Sequence, residues 1–159
     1  MNKHMQREIL GIDIGKTIVD TSTDEKKPFP KVLEVIKRLV NEKFGPENTF
    51  IVSRVNEEQK TRALGWLKRM KFHELTGIPE DHIYWCAERH EKAPICQRLG
   101  VTAFVDDRPE VLSHMRGIVN RRILFQGVES DVLLFQEQNS DVIRVSSWSE
   151  IEKLFLLDL

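Results

Sequence analysis

The sequence lacks the features that would place it in several common protein classes. Only two of its 159 residues are cysteines, Cys86 and Cys96, and they form neither a C-x-x-C pair nor a metal motif with histidine. No apolar run approaches the roughly 18 residues of a membrane span. Residues 1–8 are polar and lack the apolar core of a signal peptide. We therefore expect reduced thiols, no membrane association and a cytoplasmic location.

An excess of positive charge is also missing. The formal net charge is -1, so no general basic field favours nucleic acid, and we predict no bulk nucleic-acid binding. Hydrophobic residues make up 40% of the chain and charged residues 31%, which is ordinary for a globular protein. The sequence contains no internal repeat. A chain of this length fits one core, so we predict a single domain over residues 1–159.

What the sequence does contain is an alternation of short apolar runs with helical patterns. This alternation is typical of an α/β fold, with a mostly parallel sheet and helices on both faces. The predicted strands are residues 9–13, 49–53, 82–86, 101–106, 122–126 and 142–145. The predicted helices are residues 32–44, 57–70, 89–99, 109–116 and 147–157. In the second helix, the spacing predicts that Leu64, Leu67 and either Trp66 or Met70 face the sheet.

Carboxylates follow two of the predicted strands. Asp13 ends the first strand, and Asp106 and Asp107 end the fourth. The carboxyl ends of parallel strands border the crevice where open α/β sheets bind ligands. Carboxylates and a phosphate oxygen suit Mg²⁺, and Thr17 and Ser53 offer hydrogen bonds to a phosphate. The pattern predicts a Mg²⁺ and phosphate site, although two aspartates before Pro109 also suit a turn or a helix cap.

Taken in order, these motifs resemble those of the haloacid dehalogenase (HAD) superfamily. The matching pieces lie between residues 9 and 112 and are Asp13-x-x-x-Thr17, a strand ending in Ser53, Lys92 on a helix, and Phe-Val-Asp106-Asp107. The resemblance implies a single HAD-like Rossmannoid domain. A cap domain is expected to be absent, because a loop and one helix fill the interval 17–53 and a helix and a short strand fill the interval 53–92.

The resemblance also implies roles for individual residues. Asp13 would be the nucleophile that accepts the phosphoryl group, and Lys92 would be the lysine of the catalytic site. Phosphate would contact Thr17, Ser53 and Lys16, and Lys16 competes with Lys92 as the phosphate-site lysine. Mg²⁺ would be held by Asp13, the backbone carbonyl of Gly15, Asp106 and Asp107, with Asp107 as the direct ligand and Asp106 in support.

Gly15 departs from the family pattern. The family usually has a second aspartate there that acts as general acid and base, and losing such a group typically costs about 10²- to 10⁴-fold in rate. With Gly15 in place of that aspartate, the resemblance implies a slow Mg²⁺-dependent phosphohydrolase acting through an aspartyl-phosphate on Asp13. The alternative is a degenerate HAD-like protein that binds phosphate, metal or another protein. In the family, an open, capless site goes with macromolecular or bulky phosphorylated substrates, or with closure by a partner, so the resemblance implies one of these.

Two other interpretations of the first motif fit less well. Residues 11–17 read Gly-x-x-x-Gly-Lys-Thr, one residue short of a phosphate loop, and that loop would set the Asp13 carboxylate inside an anion site. Residues 10–17 also resemble the first phosphate motif of the sugar-kinase and actin-like fold. That fold continues into a β-hairpin and needs two large domains, whereas a polar loop and a helix follow here.

Overall fold

Six parallel strands form the centre of the computed structural model, which describes residues 7–157. The strands are β1 (Leu10–Ile12), β2 (Thr49–Arg54), β3 (Ile83–Cys86), β4 (Ala103–Asp106), β5 (Arg121–Phe125) and β6 (Ile143–Val145). Their spatial order is β3-β2-β1-β4-β5-β6, and every neighbouring pair is parallel. The predicted α/β class is confirmed, and each predicted strand overlaps an observed one.

Seven α-helices connect or follow the strands in the described part of the chain. They are α1 (Val32–Leu39), α2 (Glu57–Arg69), α3 (Phe72–Thr76), α4 (Lys92–Leu99), α5 (Pro109–His114), α6 (Glu129–Leu134) and α7 (Trp148–Glu152). Single π-helical segments extend α1 over Val40–Phe44 and α7 over Lys153–Leu157, and 3-10 turns occupy Pro46–Asn48 and Arg89–Glu91. None of the helices in residues 7–157 is long and apolar enough to span a bilayer.

The predicted start of α2 is confirmed in detail. The Asn56 side chain accepts a hydrogen bond from the Gln59 backbone N–H, and the Gln59 side chain accepts one from the Asn56 N–H. This reciprocal pair satisfies two backbone donors that the first turn leaves unpaired. The prediction for Leu64 is wrong, because its side chain is 44% exposed whereas Leu67 is buried. Leu64 lies on the outer side of a helix that contacts the sheet through a narrow stripe.

The core lies in two layers, one on each face of the sheet. Side chains from α1, α2 and α7 pack on one face, around Ile12 and Val105. Side chains from α4 and α5 pack on the other face, around Val52 and Phe104. Consecutive strand residues point to opposite faces, so Phe104 and Val105 serve different layers. The central strands β1, β2, β4 and β5 are consequently buried on both sides along most of their length, which explains their largely apolar sequences, whereas the edge strands β3 and β6 are partly exposed.

The chain reverses its direction of travel across the sheet between β1 and β4. From β1 it proceeds to β2 and β3, and it then returns to the other side of β1 to form β4. The two strands lie in register, and the Asp13 N–H donates to the Val105 carbonyl over 3.0 Å. Such a switch point opens a crevice at the carboxyl ends of the two strands. Asp13 and Asp106 are therefore delivered to the same crevice.

Candidate active site

Three carboxylates meet at the switch point. Asp13, Asp106 and Asp107 each offer an oxygen that lies within 4.8 Å of the others. Asp106 is fully buried at the tip of β4, Asp13 is 7% exposed, and Asp107 lies at the cavity surface. The Asp106 Oδ1 atom accepts a hydrogen bond from the Arg108 backbone N–H over 2.9 Å, which fixes the tip of this strand.

Lys92 is the only cationic side chain that the structure places directly on these carboxylates among residues 7–157. Its Nζ atom lies 2.9 Å from Asp13 Oδ1 and 2.8 Å from Asp106 Oδ2. Burial alone would lower the pKa of this lysine, but Asp106 and Asp13 outweigh that effect and raise it above its ordinary value. Lys92 is therefore a protonated ammonium that holds two strand tips together from the first residue of α4.

Thr17 orients Asp13 from the opposite side. Its hydroxyl donates to Asp13 Oδ2 over 3.1 Å and lies 3.5 Å from Asp107 Oδ1. The Thr17 carbonyl accepts a hydrogen bond from the indole Nε1 of Trp148 over 2.8 Å, which ties the loop to α7. The Thr17 side chain is buried and does not line the cavity. Its position suits the orientation of Asp13, and the direct phosphate contact that the resemblance implies for Thr17 stays a prediction.

The site has more negative charge than Lys92 can neutralise. Burial raises the pKa of Asp107 to about 9, and the neighbouring carboxylates of Asp13 and Asp106 add to that rise. Burial and Asp13 also raise the pKa of Asp106, although Lys92 opposes them. One ammonium among three clustered carboxylates leaves room for a divalent cation, and an all-oxygen donor set suits Mg²⁺. The residues present therefore fit the expected metal.

The Gly15 backbone is open to the cavity and unstrained. Its φ angle lies outside the left-handed region, and a Cβ atom placed there would have no heavy atom within 4 Å. Among residues 7–157, no hydrogen-bond donor is paired with its carbonyl oxygen. That oxygen remains a candidate metal ligand, as the sequence predicts. An aspartate at this position would fit without a steric clash.

Lys16 and Ser53 both line the cavity. Lys16 is exposed and adopts a left-handed backbone with φ 60°, a conformation that glycine tolerates better. Ser53 is buried one residue before the end of β2, and no hydrogen bond within the described part of the chain uses its hydroxyl. Both side chains can reach a ligand in the cavity, so phosphate binding by Ser53 and Lys16 stays a prediction.

The cavity above the carboxylates has a volume of about 330 Å³ and a pronounced charge asymmetry. Asp13 and Asp107 are its acidic lining residues. Its basic lining residues, apart from Lys92, are Lys16, Lys26, Arg54, Arg62, Arg89 and Arg108. Val55, Ala63 and Trp66 supply an apolar wall. The cavity is large enough for a small organic phosphate.

The residues at the centre of this site are predictable from the sequence, but many of the residues around them are not. Trp148, Arg62 and Trp66 reach the site only through folding, and no local motif marks them. Arg54 and Arg108 carry a weak signal, because each directly follows a predicted site residue at a strand tip. That signal is insufficient without the structure, since most arginines at such positions face solvent.

Comparison with known proteins shows the fold. No family model and no curated protein matches the chain. Among solved structures, the chain is similar to a D,D-heptose 1,7-bisphosphate phosphatase from B. bronchiseptica, crystallised with magnesium and phosphate. The TM-score is 0.61 at 14% identity, over 96% of this chain and 99% of that one.

Two larger structures are also similar. A dehalogenase solved with an intermediate gives a TM-score of 0.58 at 19% identity, covering 80% of this chain and 56% of that one. A haloacid dehalogenase-like hydrolase from Burkholderia xenovorans LB400 gives 0.54 at 13% identity, covering 80% and 58%. These likenesses show that the chain has the HAD-like Rossmannoid fold that its motifs predict. At such low identity they show the fold alone.

Proposed function

We propose that this protein is a slow Mg²⁺-dependent phosphohydrolase that acts through an aspartyl-phosphate on Asp13. The observation that carries the proposal is the constellation at the switch point, where Asp13 is held at both oxygens by Lys92 and Thr17 beside Asp106 and Asp107. A carboxylate held in one orientation at the floor of a cavity is well placed to attack a phosphorus atom. The magnesium-complexed phosphatase with a similar fold supports the same chemistry.

In this reaction, an oxygen of the Asp13 carboxylate forms a bond to phosphorus as the bond to the leaving oxygen breaks. Lys92 retains its proton and offsets charge on the carboxylates and the phosphoryl group. Ser53 and Lys16 donate hydrogen bonds to the phosphoryl oxygens. When bound, Mg²⁺ would be held by Asp13, Asp107 and the Gly15 carbonyl, with Asp106 in support, and would supply charge neutralisation at the phosphoryl group.

Gly15 determines which substrates are favourable. It cannot protonate a leaving oxygen or activate the water that cleaves the aspartyl-phosphate. Acyl and aryl phosphates, whose leaving groups depart without a proton, should therefore react faster than alkyl phosphates. The open space around the Gly15 Cβ position means that the missing carboxylate can be restored by substitution.

The test is a phosphatase assay with Mg²⁺ on p-nitrophenyl phosphate and on an alkyl phosphate such as glycerol 3-phosphate. We expect Gly15→Asp to raise alkyl-phosphate hydrolysis by at least about tenfold, a conservative share of what general acid-base catalysis supplies. Gly15→Asn, which has the same size without the acid, should give no such gain. Asp13→Asn should abolish turnover on both substrates.

The alternative function is binding without turnover. It is favoured by the absence of a carboxylate at Gly15, and it predicts that a folded, Mg²⁺-binding Gly15→Asp protein gains no activity on any phosphate ester. A protein partner would then close the open cavity. A wild-type protein that already hydrolyses alkyl phosphates rapidly would contradict both the slow phosphohydrolase and the binding protein without turnover. Another residue would then have to supply the proton.

A further inference from the structure

The cavity carries more positive charge than one phosphoryl group requires. With Mg²⁺ bound, the metal and Lys92 together offset the three clustered carboxylates, so the centre itself has little net charge. Six further cations line the same cavity. The Lys26 ammonium donates to the Thr21 and Thr23 carbonyls, and we call the other five the cationic rim: Lys16, Arg54, Arg62, Arg89 and Arg108. The chain as a whole has a net charge of -1, so this concentration is a local feature.

Three members of the cationic rim form no salt bridge within residues 7–157, although the charge of Arg108 acts on the nearby Asp107 carboxyl and opposes the rise of its pKa. In the described part of the chain, no ion pair involves Lys16, Arg54 or Arg108. The Arg54 Nε atom donates to the Ala87 carbonyl over 3.2 Å, which steadies the side chain and leaves its charge uncompensated. Arg62 and Arg89 are paired with Glu58 and Glu110, neither of which lines the cavity.

The cationic rim is assembled from separate parts of the fold. Arg54 ends β2, Arg62 lies on α2, Arg89 starts the 3-10 turn before α4, and Arg108 precedes α5. The members without a salt bridge in the described part of the chain, Lys16, Arg54 and Arg108, repel one another across the same cavity, and this repulsion disfavours the empty state. Guanidinium groups bind phosphate through paired hydrogen bonds, and an anion among them would offset the repulsion.

We propose that the cationic rim is a second anion subsite, and that the ligand of this protein is a small organic molecule with two phosphate groups. The first phosphate lies at Asp13, and this placement rests on the proposed function. The second phosphate is assigned to Arg54 and Arg108. The limited cavity volume and the apolar wall of Trp66 favour a compact molecule over an extended chain.

The experiment compares bisphosphates with their own monophosphates. Isothermal titration in Mg²⁺ measures binding of fructose 1,6-bisphosphate against fructose 1-phosphate and fructose 6-phosphate, and of 2,3-bisphosphoglycerate against the two phosphoglycerates. Phosphorus NMR checks that each ligand stays intact. We expect at least one bisphosphate to bind about tenfold or more tightly than its monophosphates, the size of effect that charge-assisted hydrogen bonds supply.

Variants locate the second phosphate. Arg54→Gln and Arg108→Gln should each reduce the ratio of bisphosphate to monophosphate affinity by at least about threefold. Each should change the monophosphate affinity itself by less than about twofold. The matched control is Arg98→Gln, because Arg98 is exposed on α4 and lines no part of this cavity. It should leave all affinities unchanged.

Several results would overturn the proposal. Bisphosphates that bind within about twofold of their monophosphates would do so, as would a preference that survives both arginine substitutions. A 5′-phosphorylated oligonucleotide that binds more tightly than either bisphosphate would replace the small-molecule class with nucleic-acid ends. The titration reads binding alone, so a preference that depends on the arginines supports the subsite even if no phosphate ester is hydrolysed.

Discussion

At the scale of single residues, the site is governed by electrostatic repulsion that the metal-free protein only partly relieves. Asp107 is affected most, because burial and the charges of Asp13 and Asp106 raise its pKa to about 9. Asp106 differs because Lys92 and the Arg108 N–H occupy its two oxygens. Asp107 is thus the carboxylate that is least satisfied by the protein alone, which supports its proposed role as direct metal ligand.

This repulsion predicts a pH-dependent stability. The pKa of Asp107 is about 9 in the folded protein and about 4 when unfolded, so the folded state binds the extra proton between these values. Stability of the metal-free protein should consequently fall as pH rises through this window. In EDTA at pH 8, Asp107→Asn should be more stable than wild type by at least about 1 kcal/mol, and the difference should vanish near pH 4.

Thermal melts at several pH values measure this effect, and Asp24→Asn serves as the control because Asp24 is exposed. Mg²⁺ should reverse the order, raising the melting temperature of wild type and not that of Asp107→Asn. A difference between the proteins that is independent of pH would contradict the assignment of repulsion to Asp107.

The residues at the centre were predictable because they sit next to strong local signals. Asp13, Asp106 and Asp107 follow dense apolar runs, and strand tips in a parallel sheet converge wherever the chain reverses across it. The role of Thr17 was less accessible. Its hydroxyl donates a hydrogen bond to the carboxylate of Asp13, four residues earlier. That geometry depends on the backbone hydrogen bonds that the carbonyls of Ile14 and Val19 accept within the loop.

At the scale of elements, strands were easier to predict than short helices. All six strands were found. Burial on both faces makes the sequences of β1, β2, β4 and β5 largely apolar, whereas the edge strands β3 and β6 are partly exposed and carry a weaker signal. The helices α3 and α6 were missed. α3 has five residues, too few to show a helical period, and it begins after Lys71 in a left-handed conformation. In α6 the apolar residues are consecutive, and Leu133 and Leu134 are exposed.

Substituting alanine for Gly11 or Gly65 should change the stability of the protein in opposite directions. A Cβ atom on Gly11 of β1 would lie 2.5 Å from Phe104 Cδ1, whereas one on Gly65 of α2 would meet no atom within 4 Å. Gly11→Ala should therefore destabilise the protein by about 1–3 kcal/mol through overpacking. Gly65→Ala should stabilise it by about 0.5–1 kcal/mol, because alanine is the better helix former.

Urea denaturation of both variants against wild type is the measurement. A Gly11→Ala protein as stable as wild type would contradict the close contact between the Phe104 ring and the Gly11 backbone of β1. A destabilised Gly65→Ala would contradict the exposed, regular helix at that position.

At the scale of the whole molecule, the site depends on contacts that no local pattern encodes. Trp148 reaches the Thr17 carbonyl across 131 residues of sequence. The cationic rim likewise gathers arginines from separate segments, and in the sequence only Arg54 and Arg108 carry even a weak signal of a role in the site. The order of the strands decides these neighbours, and strand order follows from the whole chain rather than from any motif.

The whole arrangement predicts an imbalance between the two halves of the reaction. Asp13 is held ready to accept a phosphoryl group, but Gly15 provides no base for the water that would remove it. With acetyl phosphate, whose leaving group needs no proton, formation should outpace hydrolysis. The aspartyl-phosphate should then accumulate on the wild-type protein and persist for less time on Gly15→Asp.

The most direct test of this account is the intact mass of the protein after incubation with acetyl phosphate and Mg²⁺. We predict that wild type gains the mass of one phosphoryl group, that Asp13→Asn gains none, and that Gly15→Asp turns over acetyl phosphate with a smaller phosphorylated fraction. A wild type that remains unmodified without hydrolysing acetyl phosphate, or an Asp13→Asn protein that is modified to the same extent, would contradict the central claim.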